Sequence, residues 1–294
     1  MFFPRYADIE TVSHCNARCV YCPQSISPKS ANTMDMFLFE TILKKIRHEY
    51  NISSDFNVVL NHYGEPLLDK HFLARIDIIR LYSMRVGLFT NATLLTDRII
   101  DFLEEGDFSR NMGVTFNFPE FDPDKWCKTM QLPKASYIKA LNGITKFIKK
   151  FANKDFPITL SDKLKDKLEI PNCNNIVFMN FIPDTRADNI PINEDNKKWV
   201  WKDFYKNSTY INGCMKPTLL HILSVGYNGD VYLCCQDYHQ KYNLGNVGKE
   251  NIHDIMTSDK ANNLRDQIYG KIPADEDLLC RNCNLSVVDF SISS

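Results

Sequence analysis

Apolar runs long enough to cross a membrane are missing: none reaches the ~18 residues that a bilayer span requires. Glycine and proline are sparse, 11 and 13 among 294 residues, which excludes collagen-like and low-complexity classes. There is no excess of either charge. Lys and Arg number 35 against 36 for Asp and Glu, a net −1. Nothing therefore draws the whole chain to nucleic acid or to an anionic surface, and neither a nucleic-acid nor a membrane partner is expected. The first residues show no basic segment followed by an apolar one, so the expected compartment is the cytoplasm. What remains, 44% hydrophobic and 24% charged residues, is an ordinary globular composition with a sizeable core.

Cysteine is the unusual residue. The ten cysteines fall at 15, 19, 22, 127, 173, 214, 234, 235, 280 and 283. In a reducing compartment disulfides are not expected, and grouping toward the two ends reads as metal ligation. Cys127 and Cys173 stand apart and read as inert thiols.

Strand-like segments are expected at 8–12, 56–62, 85–90, 112–118, 156–160 and 176–181. Helical periodicity follows at 36–50, after Asp69, at 97–105 behind a Thr96 cap, and at 133–151, with a shorter helix after Ser161. Alternation of this kind predicts a parallel sheet covered by helices. Six strands are too few to close an eight-stranded barrel, so the expected fold is α/β, an open partial (β/α)6 TIM-like barrel. Its site should lie in the loops after the strands. Beyond the last strand, Asp184, Arg186, Asp188 and Asn189 form a polar, proline-flanked stretch that reads as a linker or a substrate-binding loop. Further on, Asn228-Gly229 between two apolar runs predicts a β-hairpin, and 252–269 reads as one helix stopped by Gly270. The expected boundaries are a barrel over 1–195 and a small C-terminal domain of hairpin and helix over 196–294.

Cys15, Cys19 and Cys22 form a Cys-x3-Cys-x2-Cys group directly after the first strand. An iron–sulfur cube normally takes four cysteines. Three on one loop leave one iron open, as catalytic metal sites do. The alternative is a zinc site with a fourth ligand, perhaps His14, although zinc usually prefers paired knuckles. With its aromatic Tyr21 before the third cysteine, this group resembles the radical S-adenosylmethionine superfamily. The resemblance continues at Tyr63-Gly64-Glu65-Pro66, similar to the family's Gly-Gly-Glu-Pro motif but with Tyr63 in place of the first glycine. It continues also at Thr90-Asn91 after the third strand. It implies a [4Fe–4S] cluster on Cys15, Cys19 and Cys22 whose open iron is chelated by S-adenosylmethionine. Tyr21, Gly64, Glu65, Pro66, Thr90, Asn91 and, after the fourth strand, Asn117 would line the nucleotide pocket.

Cys214-x14-Gly229-x4-Cys234, then Cys235 and Cys280-x2-Cys283, resembles the auxiliary-cluster extensions called SPASM and twitch. The count suits the one-cluster form, with a second [4Fe–4S] cluster on Cys214, Cys234, Cys280 and Cys283 and a four-cysteine zinc site as the alternative. Strand alternation would set Cys234 and Cys235 on opposite faces. Cys235 then reads as a packed thiol or a hydrogen-atom donor to a substrate radical. The resemblance implies reductive cleavage of S-adenosylmethionine to a 5′-deoxyadenosyl radical and removal of a substrate hydrogen atom. The electron would come from a flavodoxin or ferredoxin. Because the first strand lies close to the chain start, a small molecule is favoured over a peptide. The expected reaction is dehydrogenation or epimerisation of a sugar or aminocyclitol. Peptide modification, and a non-catalytic iron–sulfur or zinc-stabilised binding protein, are the alternatives. His62, at the end of strand two, is a further substrate candidate.

Overall fold

The computed structural model describes residues 2–52, 56–106, 112–180, 184–200 and 210–288. Six parallel strands form its centre: β1 (Tyr6–Ile9), β2 (Asn57–Leu60), β3 (Arg85–Thr90), β4 (Met112–Phe116), β5 (Ile158–Ser161) and β6 (Ile176–Met179). Side chains alternate across the sheet. Ala7, Ile9, Val58, Leu60, Val86, Leu88 and Val114 are buried beneath helices. Tyr6, Asp8, Val59, Gly87 and Thr115 face the concave interior.

The helical layer comprises α1 (Met36–Tyr50), α2 (Phe72–Leu81), α3 (Asp97–Glu105), α4 (Pro123–Met130) and α5 (Lys134–Phe151). In α1, Asp35 caps the first turn by accepting from the N–H groups of Phe37 and Leu38, and Phe39, Ile42, Leu43 and Ile46 are buried. Each such burial contributes roughly 1.5–3 kcal/mol. On α5, Tyr137, Ala140, Ile144, Phe147, Ile148 and Phe151 are buried and Ile138 is exposed, the stripe of a 3.6-residue period.

The helix α4 was not expected, although Asp122 caps it and Pro123 opens it, a recognisable start signal. The helix expected after Ser161 is a single 3-10 turn, Asp162–Leu164. The strand expected at 8–12 ends at Ile9, because residues 11–13 leave the sheet and Val12 bridges Thr33 instead. Strand two ends before His62, whose φ of 140° turns the chain. Phe181, expected at the end of strand six, lies outside the described residues.

The C-terminal part supplies β7 (Gly213–Cys214), β8 (Ile222–Val225), β9 (Asp230–Tyr232), β10 (Asn243–Asn246), β11 (Ser286–Val287), α6 (Ile252–Thr257) and α7 (Asp259–Ile268). The helix expected over 252–269 is two, because Ser258 breaks it and caps α7 through the Ala261 N–H. The hairpin does not stand apart. β8 pairs parallel with β1, giving one nine-stranded sheet in the order β10-β9-β8-β1-β2-β3-β4-β5-β6. Among the described residues its two ends do not pair, so the barrel is partial and open. No described helix is long and apolar enough to cross a membrane.

Candidate active site

The first three cysteines occupy the loop between β1 and α1, where backbone hydrogen bonds hold them close. The Cys22 N–H bonds the Cys19 carbonyl at 2.9 Å, and the Ala17 N–H reaches Cys15 Sγ at 3.4 Å. Cys19 Sγ lies 3.5 Å from Met130 Sδ, on the unexpected helix α4. Burial pushes the Cys15 thiol up to about 12, with Glu65 adding to the effect. Cys19 and Cys22 are raised for the same first reason. Thiols this hard to ionise become thiolates when a cationic centre draws the proton off. Three cysteines on one loop are a donor set that fits an iron–sulfur cluster. Among the described residues no three His, Cys, Asp or Glu side chains converge on a point suited to one ion. In a cube each thiolate binds its own iron.

The motif loop approaches this loop closely. The Glu65 N–H bonds the His14 carbonyl at 3.0 Å. An added Cβ at Gly64 would lie 1.8 Å from Val12 O, so only glycine fits there. Glu65 is buried, and its carboxylate accepts from Thr90 Oγ1 at 2.7 Å, the Asn91 N–H at 2.9 Å and the Leu67 N–H at 3.1 Å. These bonds fasten the ends of β2 and β3 together. Burial raises the pKa of Glu65 to about 6. Asn91 Nδ2 donates to Asn16 Oδ1 at 2.9 Å, tying β3 to the cysteine loop. Tyr21 donates to Asn117 Oδ1 at 3.0 Å and packs on Trp199 at 5.6 Å. Every residue expected around the nucleotide thus lies at one end of the sheet, after the strands or, for Thr90, at the last position of β3.

The second group gathers as well. Cys214, Cys234, Cys235, Cys280 and Cys283 line one small cavity. β9 ends at Tyr232, so Cys234 and Cys235 lie in the following turn and strand alternation does not separate them. Their surroundings do. After burial, the charges acting on Cys234 are Cys235, Cys280 and Cys283. Those on Cys235 are Lys216 and Asp8, and Lys216 Nζ reaches its sulfur at 3.5 Å.

The residues 184–189 join the two cysteine regions. Arg186 Nε donates to the Tyr21 carbonyl at 3.1 Å. Asp184 accepts from Gln236 Nε2 at 2.8 Å, and Asn189 Nδ2 donates to the Gln236 carbonyl at 2.8 Å. Thr185 and Asn284 exchange bonds beside Cys283. Arg186, Ala187 and Asp188 all adopt positive φ, the strained left-handed region. Asp184, Arg186 and Asn189 therefore brace the two regions with their polar groups, while Asp188 is exposed. His62 is also turned inward: Nδ1 is 3.3 Å from Glu10 Oε1, and the ring packs on Tyr63 and Tyr232.

Within the sheet's concave face lies a cavity of about 910 Å³, lined by residues of β1 to β5 together with Lys216 and Cys235. Gly87 and Gly113 open it. Asp8, Lys216 and Cys235 also line the cysteine cavity, so the two share a wall. Of these three, only Cys235 was singled out from the sequence.

A family model for the Radical SAM superfamily matches residues 9–169. The chain belongs to the radical SAM superfamily. An iron–sulfur cluster-binding SPASM domain matches residues 214–284, so this radical SAM enzyme uses S-adenosylmethionine and two iron–sulfur clusters. It is 26% identical over 282 residues to the S-adenosyl-L-methionine-dependent 2-deoxy-scyllo-inosamine dehydrogenase of Niallia circulans, covering 94% of this chain and 91% of the relative. It is 22% identical to the serine-type anaerobic sulfatase-maturating enzyme of Bacteroides thetaiotaomicron, covering 96% and 80%. The fold matches BtrN in complex with AdoMet and 2-DOIA, with a TM-score of 0.59 at 23% identity over 97% and 94% of the two chains.

Proposed function

We propose that this enzyme dehydrogenates a small, aminocyclitol-like molecule. The observation that carries the reading is the cavity in the barrel's concave face. Its volume of about 910 Å³ lies within the roughly 300–1,000 Å³ usual for small-molecule sites. It also shares Asp8, Lys216 and Cys235 with the second cysteine cavity. The similarity to the 2-deoxy-scyllo-inosamine dehydrogenase supports the same substrate class.

When bound, S-adenosylmethionine and the clusters supply a 5′-deoxyadenosyl radical and an acceptor for one electron. Cys15, Cys19 and Cys22 hold the first cluster; Cys214, Cys234, Cys280 and Cys283 hold the second. Gly64 lets the motif loop close on the cysteine loop. Glu65 fixes Thr90 and Asn91, and Tyr21 with Asn117 completes the pocket wall. The 184–189 brace holds the two cysteine regions in fixed relation, which keeps reacting groups aligned. A flavodoxin or ferredoxin provides the starting electron.

A second reading has one observation in its favour. Cys235 faces the substrate cavity, where its thiol could return a hydrogen atom and yield an epimer. Product analysis after anaerobic turnover with 2-deoxy-scyllo-inosamine separates the two. A ketone supports dehydrogenation, and an inverted stereocentre supports epimerisation. Neither product, from protein that consumes S-adenosylmethionine with another substrate, refutes the aminocyclitol reading.

A further inference from the structure

Asp8 is the feature of the cavity that no catalytic or cluster role explains. It sits on β1, in register with Val59 of β2 on one side and Ser224 of β8 on the other. The same row continues through Gly87 and Gly113, and Asp8, Val59, Gly87 and Gly113 all lie along the cavity. Among the described residues no hydrogen bond reaches its carboxylate. The neighbouring polar groups have other partners: Lys216 bonds Cys235, and His62 Nδ1 faces Glu10. Burial is the main influence on Asp8 and raises its pKa against the pull of Lys216 and His62.

Two hydroxyls extend the pattern. Ser224 is paired with Asp8 and, on its other side, with Tyr232. Both hydroxyl oxygens are buried without a hydrogen-bond partner. Directly opposed residues on neighbouring strands stand side by side on one face. Asp8 lines the cavity, whereas Ser224 and Tyr232 continue its row into the buried interior. A carboxylate that faces a cavity with no hydrogen bond from the described residues points to a ligand there.

We propose that Asp8, at the wall of this cavity, marks the recognition site for the ammonium group of an aminated polyol. Asp8 is its anionic contact, and Lys216 donates to a neighbouring ring hydroxyl. The assignment rests on the aminocyclitol reading and deepens it. A carboxylated or phosphorylated sugar would meet repulsion from Asp8. A neutral polyol would leave the carboxylate without a charge-assisted hydrogen bond.

The test is calorimetric binding to the holoenzyme, loaded with both clusters and S-adenosylmethionine, in the absence of reductant. The two probes are 2-deoxy-scyllo-inosamine and the cyclitol with a hydroxyl in place of its amine. The amine should bind about 10- to 100-fold more tightly, as expected for a charge-assisted bond. That preference should vanish in Asp8→Asn, with S-adenosylmethionine affinity unchanged. Equal binding of both compounds to the wild type overturns the assignment alone, and so does an amine preference that survives in Asp8→Asn. Binding of neither compound overturns the substrate reading with it.

Discussion

The backbone N–H of Asn91 donates to the carboxylate of Glu65 at 2.9 Å, and this bond links the motif loop after β2 to the end of β3. Thr90 and the Leu67 N–H bind the same carboxylate. Replacing Glu65 with Gln keeps the shape but sets an amide against one of three donors. Unfolding of the apoprotein should show a loss of about 1–3 kcal/mol, and S-adenosylmethionine affinity should fall with it. An unchanged midpoint in denaturant would show that the three bonds contribute nothing.

The same carboxyl predicts a pH effect of definite sign. Its pKa is raised from the ordinary 4.5 to about 6 in the fold, so the folded state holds a proton that the unfolded chain has released. Its contribution is therefore fully present below about pH 4.5 and is lost as pH rises through 6, a change of about 2 kcal/mol. The stability difference between wild type and Glu65→Gln should shift by that amount between pH 4 and 7. A difference flat with pH would contradict the burial argument.

Gly64→Ala should be disruptive for a separate reason. The new Cβ would meet Val12 O at 1.8 Å, forcing the motif loop off the cysteine loop at a cost of about 1–3 kcal/mol. The cleavage of S-adenosylmethionine should fall sharply while the second cluster's spectrum persists. Equal damage to both clusters would point to general unfolding.

The motifs nearest the first cluster were legible because each is local: the three cysteines, Gly64-Glu65-Pro66 and Thr90-Asn91 lie on short loops whose chemistry is visible in a few residues. Asp8, Ser224 and Tyr232 were not legible. They become neighbours only because β8 docks beside β1, and sheet order is not encoded in any short segment. The stretch 184–189 is visibly polar in the sequence, but its partners Gln236 and Asn284 are remote, so its bracing contacts are not legible there. The helix α4 carries a local start signal in Asp122-Pro123, but its contact from Met130 to Cys19 joins residues far apart in sequence.

The neighbouring cysteines give a clean contrast. Cys234→Ala should remove the second cluster, seen as loss of about half the bound iron. Cys235→Ala should retain the iron, because that thiol faces Lys216 and the substrate cavity. The reverse pattern would exchange their roles.

The measurement closest to the central claim is isotope transfer. Anaerobic protein with both clusters loaded is reduced with dithionite and supplied with S-adenosylmethionine and ring-deuterated 2-deoxy-scyllo-inosamine. The account predicts deuterium in the methyl group of 5′-deoxyadenosine, and no 5′-deoxyadenosine at all from a Cys15/Cys19/Cys22→Ala triple variant that keeps the second cluster. Oxidised substrate accompanied by unlabelled 5′-deoxyadenosine would contradict it.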